Sequence, residues 1–190
     1  MKTIFRIFLL ILVFGILEAK AKDFIESNNL SFGVNLNTGT MMGAGAEFGF
    51  LMYKNGNFEI FNFISLNSTG LKLTEDKFDY VSLFAQEKIT FSYLLGSSVV
   101  SHIGFDYFRP YLFISGGFGG IFGKKDGYKL PYYWDGFAGL GHEFITQNGH
   151  TFFFELGGGA VGLTSKLSDK KLQNTLGGNF RVILGYRIYF

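Results

Sequence analysis

The last eleven residues of the chain alternate without a break. Phe180, Val182, Leu184, Tyr186, Ile188 and Phe190 fall on one face, and Arg181, Ile183, Gly185, Arg187 and Tyr189 on the other. A period of two is the geometry of a β-strand, and so strict an alternation implies different surroundings on its two faces. The pattern recurs near the start. Leu30, Phe32, Val34 and Leu36 oppose Ser31, Gly33, Asn35 and Asn37; then Met42, Ala44, Ala46, Phe48, Phe50 and Met52 oppose Gly43, Gly45, Glu47 and Gly49. A water-soluble sandwich would cover its polar face with Lys, Glu and Thr. Here the less apolar face is glycine with an isolated Glu or Arg, which suits the crowded inside of a narrow barrel. The oily face then points outward, where its solvent is lipid, with Phe and Tyr near the strand ends as interfacial girdles.

Composition supports an all-β membrane chain. There are 25 Phe, 10 Tyr and 27 Gly but only 2 Pro among 190 residues, and 17% are charged. Mean hydropathy is +0.22, yet no run beyond the N-terminus approaches the roughly 18 continuous apolar residues of a membrane helix. The N-terminus reads as a signal peptide over residues 1–21. Lys2 and Arg6 precede an uncharged run from Ile7 to Leu17, and Ala19-Lys20-Ala21 supplies a small-x-small cleavage site. Cleavage would start the mature domain, 22–190, at Lys22, leaving 190 − 21 = 169 residues. It would remove Lys2, Arg6, Lys20 and Glu18, so the formal charge of +2 falls to zero. The pI of 8.7 is therefore largely a property of the precursor and implies no nucleic-acid partner. With no Cys in the chain, disulfides, a lipid anchor on cysteine and thiolate zinc sites are excluded.

Turn signals divide the mature chain. Asn37-Thr38-Gly39-Thr40 separates the first two strands, and Lys54-Asn55-Gly56-Asn57 holds a strong hairpin signal. Phe58 to Leu66 reads as a third strand, followed by a polar stretch from Asn67 to Asp79. Residues 87 to 104 are a long apolar segment that periodicity does not divide. Pro110 can open a strand over Tyr111 to Phe122, because a first residue need not donate to the ladder. Lys124 to Pro131 reads as a charged loop, Tyr133 to Thr146 as a strand, Gln147 to His150 as a tight turn, Thr151 to Leu163 as a strand, and Ser165 to Asn174 as a polar loop. The expectation is an antiparallel up-and-down barrel of eight strands, or ten if Tyr80 to Phe84 and Val99 to Asp106 count separately. Short turns at 54–57 and 147–150 would lie at one end, and long charged loops at 67–79, 123–131 and 164–175 at the other.

Catalytic constellations are sparse. Ser101 and His102 are adjacent, and strand neighbours diverge, so they make no nucleophile and base. The same divergence separates His142 from Glu143, while His150 falls in a tight turn. Gly116 to Gly120 and Gly157 to Gly159 lack the Lys-Ser/Thr ending and following helix of a phosphate loop. The pattern predicts no cofactor, no metal and no enzymatic role. What it singles out is inward-facing charge: Glu47, Glu143, Glu155, Arg181 and Arg187. A charge in a narrow lumen is costly unless paired, so these residues are expected to pair across the interior. They would serve either as a plug that stiffens the barrel or as the gate of a small pore.

Three segments, together with the signal peptide, resemble the small outer-membrane β-barrels of the outer-membrane protein A and X type. They are Arg109-Pro110-Tyr111 leading into Gly116-Gly117-Phe118-Gly119, then Gly139-Leu140-Gly141-His142-Glu143-Phe144, and Gly185-Tyr186-Arg187-Ile188-Tyr189-Phe190. The similarity spans nearly the whole mature chain and implies residence in a bacterial outer membrane. It also implies that Tyr186, Ile188 and Phe190 form a signal for the barrel-assembly machinery. Partners would be outer-membrane lipid, that machinery, and an extracellular ligand or host surface. The resemblance implies a structural or surface-interaction role; a porin-like channel and a barrel-embedded lipid-modifying enzyme are the alternatives.

Overall fold

A computed structural model describes residues 29–39, 41–71, 80–95, 103–123, 128–167 and 170–190; the expected signal peptide, Ser101 and His102 lie outside them. Eight antiparallel strands form one closed barrel in chain order: β1 Leu30–Gly39, β2 Met41–Asn55, β3 Phe58–Leu71, β4 Tyr80–Tyr93, β5 Tyr107–Gly123, β6 Tyr128–Ile145, β7 His150–Leu167 and β8 Lys170–Tyr189. Closure pairs the first strand with the last. The Leu30 amide donates to the Phe190 carbonyl at 3.1 Å, and the Phe190 amide to the Leu30 carbonyl at 2.9 Å.

The pairing register measures how strongly the strands slant. Starting at Ile188 on β8, cross-strand partners run through Phe32, Phe48, Ile64, Glu87, Gly116, Gly136 and Ala160, and return to β8 at Gly178. The circuit comes back 188 − 178 = 10 residues displaced. With eight strands and ordinary spacings, that stagger corresponds to a tilt of roughly 40°.

Several loops expected from the sequence are strand. β3 continues through Leu71, β6 begins at Tyr128, and β7 and β8 approach to within two residues at 168–169. The hydrophobic alternation fades there while the ladder persists, so Ser165 still pairs with Gln173. Of the segment 87–104, residues 96–102 lie outside the described residues. Its first part belongs to β4, and residues 94–106 connect β4 to β5, so the ten-strand alternative does not apply. That connection lies at the same end as the termini, together with the turns at 56–57 and 146–149. The expected sorting of loops into a short-turn end and a long-loop end is therefore corrected: the connection at 94–106 is longer than any at the far end. At the tight turns Gly56 and Gly149 adopt φ of 60° and 80°, a region that glycine enters without steric cost.

Side chains alternate as the sequence required. Outward residues include Phe32, Ile64, Leu112, Phe118, Leu140 and Leu184, each about half exposed or more. Aromatic rings band the outer wall near both ends. Tyr53, Phe58, Tyr93 and Phe152 ring the termini end, and Phe118, Trp134 and Phe180 the other. Phe108 and Phe118 stand ten residues apart on β5, roughly 25 Å along the barrel axis at that tilt.

Candidate functional site

Inside the barrel, charge and aromatic rings alternate in layers. Toward the termini end Phe61, Phe63, Leu94, Ile145 and Tyr189 pack together; higher up, Tyr111, Phe113, Phe137, Phe153 and Ile183 form a second cluster. The interior is therefore not lined by glycine and isolated charge alone, as the alternation implied; large rings share it. Inner glycines make room for them. A Cβ on Gly141 would collide with the Tyr111 ring, and one on Gly185 with the Phe153 ring.

Arg187 occupies the centre, fully buried. Its guanidinium lies between the rings of Phe63 and Phe153, 4.1 Å from each centroid, a cation–π arrangement strengthened by burial. Its Nε donates to Glu47 Oε1 at 2.7 Å, Nη2 reaches the same carboxylate, and Nη1 bonds Glu143. From Glu143 the network continues through Arg109 (2.8 Å), then Glu59 (2.8 Å), then Lys54 at the rim (3.1 Å). In the other direction Lys88 joins Glu47 at 3.3 Å and also binds Glu155, which accepts from the Tyr111 hydroxyl at 2.7 Å. Arg181 pairs separately with Asp135 and lies over the Phe137 and Phe84 rings. Five cations, Lys54, Lys88, Arg109, Arg181 and Arg187, thus face five carboxylates, Glu47, Glu59, Asp135, Glu143 and Glu155, and the set is neutral.

Local structure aims each group. Arg109 and Glu143 are direct cross-strand partners, as are Lys54 and Glu59. Lys54 points inward because a bulge between Leu51 and Tyr53 resets the alternation of β2, which is how bulges re-aim a side chain. Arg187 also lies 3.9 Å from Glu155 on the neighbouring β7, and the remaining pairs tie together strands that share no ladder.

All five residues singled out in the sequence, Glu47, Glu143, Glu155, Arg181 and Arg187, are buried in the interior. Four of them share one network, and Arg181 stands apart with Asp135. Sequence reasoning missed Lys54, Glu59, Lys88, Arg109 and Asp135. Lys88 sits in the undivided apolar segment, and Arg109 precedes the residue taken as the strand start; extending β5 by two residues would have placed Arg109 on the face of Tyr111. On β3, Phe61 and Phe63 point inward while Ile60, Ile64 and Leu66 point outward, so the contrast that would have oriented Glu59 is absent.

The histidines at 142 and 150 take no part in the lumen. His142 faces outward and stacks on Phe108, with centroids 5.4 Å apart. His150 opens β7 on the outer wall, half-buried, with Nδ1 in contact with the Tyr186 hydroxyl; it is not the solvated turn residue the sequence suggested. Among the described residues no group of three or more His, Cys, Asp or Glu side chains gathers as a metal site.

No protein family and no curated protein matches the sequence. Among solved structures the chain is similar to a major outer membrane protein from Thermus thermophilus, with 10% identity and a TM-score of 0.38, over 84% of this chain and 99% of that one. It is also similar to a chain solved in work on the in-meso crystallisation of membrane proteins, with 8% identity and a TM-score of 0.26, over 85% and 84%.

Proposed function

We propose that this chain is a closed barrel of the bacterial outer membrane, with a structural or surface-interaction role rather than a conducting or catalytic one. The observation that carries the reading is Arg187, held between two rings and two carboxylates across the lumen. A solute passing along the axis would have to part buried ion pairs, each costing about 3–5 kcal/mol when one partner is left alone. The apolar outer wall between its aromatic bands, roughly 25 Å tall, matches the hydrocarbon belt of such barrels. Lipid is then one partner and the barrel-assembly machinery, reading Tyr186, Ile188 and Phe190, another. The strand ends Leu71, Tyr80, Gly123 and Tyr128 lie at the end away from the termini, and the sequence between them carries Lys72, Glu75, Asp76, Lys77, Asp79, Lys124, Lys125 and Asp126. They would offer the contact surface for an extracellular ligand or host. Purified barrel in a planar bilayer should give no unitary conductance steps; stable ion-selective steps would establish the pore instead.

A further inference from the structure

On the outer wall one row of cross-strand partners carries almost no side chains. Glu87 on β4 faces Gly116, Gly116 faces Gly136, Gly136 faces Ala160, and Ala160 faces Gly178 on β8. A Cβ added at Gly136 or Gly178 would meet nothing within 4 Å, and one at Gly116 only the Asp135 carbonyl at 3.9 Å. The result is a furrow four strand spacings long, roughly 19 Å. It starts at mid-wall beside Glu87, where shallow hollows of about 550 Å³ and 220 Å³ open toward Phe118 on one side and Ile114 on the other. From there it runs beneath Phe118 and Trp134, then passes between Trp134 and Phe180 through the aromatic band at the end away from the termini.

Glu87 gives the furrow its chemistry. Its carboxylate faces outward in an apolar wall, and among the described residues it takes one donor, Asn62 Nδ2 at 2.7 Å. Asn62 is 7% exposed, and its Oδ1 has no donor. The pair thus presents acceptors and lacks a donor, at a depth where lipid tails supply none. Polar groups in such surroundings are costly unless a partner meets them.

We propose that the furrow binds a membrane lipid whose acyl chain carries a hydroxyl, the chain lying along the glycines and the hydroxyl donating to Glu87. Width selects a chain. Ile114 and Phe118 flank Gly116 on β5 with Cα atoms about 13 Å apart, and their side chains narrow that gap below the 10–12 Å of a helix. Chemistry selects the hydroxyl. An ammonium group at mid-membrane is itself costly, whereas a hydroxyl is neutral and still donates. The inference rests on the reading of the outer wall as lipid-facing. Trp134, the one tryptophan of the chain, is 41% exposed beside the furrow and reports its occupancy.

The test reconstitutes the full barrel in vesicles of dibromostearoyl phosphatidylcholine, whose bromines quench Trp134. Recovery of fluorescence is then followed as 12-hydroxyoleoyl or plain oleoyl phosphatidylcholine replaces the brominated lipid. The hydroxylated lipid should displace it about tenfold more effectively than the plain one, the worth of one hydrogen bond to a charged acceptor. Glu87→Leu with Asn62→Leu should abolish that preference, and Gly136→Leu, which fills the furrow, should lower it. Equal displacement by the two lipids in the wild type overturns the proposal, as does a preference that survives Glu87→Leu with Asn62→Leu. If that double variant does not assemble, an unchanged preference in Gly136→Leu overturns it instead. Quenching without preference sinks the furrow site alone, whereas a Trp134 that brominated lipid does not quench sinks the lipid-facing reading as well.

Discussion

Arg187 and Glu47 meet over Gly33. The glycine on β1 is the direct cross-strand partner of both, Glu47 on one side and Arg187 on the other. Residues 140 positions apart in sequence are thereby bonded at 2.7 Å across the strand that closes the barrel. The absence of a side chain at position 33 helps to allow it: a Cβ there would stand 3.0 Å from the Tyr186 carbonyl, 3.2 Å from Glu47 Oε1 and 3.3 Å from Arg187 Cγ.

Gly33→Ala should therefore cost about 1 kcal/mol and Gly33→Leu clearly more, through overpacking against the ion pair. Urea unfolding of the barrel in lipid vesicles measures both. Equal stability of Gly33→Leu and wild type would show that the pair moves aside freely.

Within the network, Arg187→Met should lower stability by about 3–5 kcal/mol, because Glu47 and Glu143 lose a shared cation in a dry interior. Glu155→Gln should cost less, since Lys88 keeps Glu47. Arg181→Met leaves Asp135 without the guanidinium it pairs with, so Arg181→Met with Asp135→Leu should regain part of the single-variant loss. In a double-mutant cycle, Arg181 and Arg187 should be nearly additive, because their carboxylates are distinct. Strong coupling between them would contradict two separate groups.

Glu87 presents the opposite case. It faces outward, halfway along β4, and accepts from Asn62 Nδ2 at 2.7 Å. An outward carboxylate at the middle of a hydrocarbon belt is unfavourable. Replacing both partners, Glu87→Leu with Asn62→Leu, should stabilise the barrel in vesicles by about 1–2 kcal/mol. A loss of stability would mean that this stretch of wall does not face lipid.

The C-terminal residue separates assembly from stability. Phe190 is half exposed and contributes two backbone hydrogen bonds to Leu30. Its ring packs on the outside, so deleting it should reduce folded, heat-modifiable barrel in cells while shifting the unfolding midpoint of assembled protein only slightly. N-terminal sequencing of the same outer-membrane fraction should begin at Lys22. An intact Met1, or normal yield without Phe190, would contradict the export and assembly roles.

Alternation along β1, β2 and β8 determined a great deal by itself. It separates Glu47, Arg181 and Arg187 from the outward apolar residues with no knowledge of the fold, because the two faces of a strand are a local property. Partners were another matter. Whether Arg187 meets Glu47, Glu143 or Glu155 depends on the ten-residue stagger of the closed sheet, which no single strand contains. Lys54 reaches Glu59 only through a bulge, and Lys88 and Arg109 took their places once strand bounds were set by ladders that outlast the apolar pattern. Strand orientation follows from residues two apart, whereas the ion-pair network follows from closure of all eight strands at once.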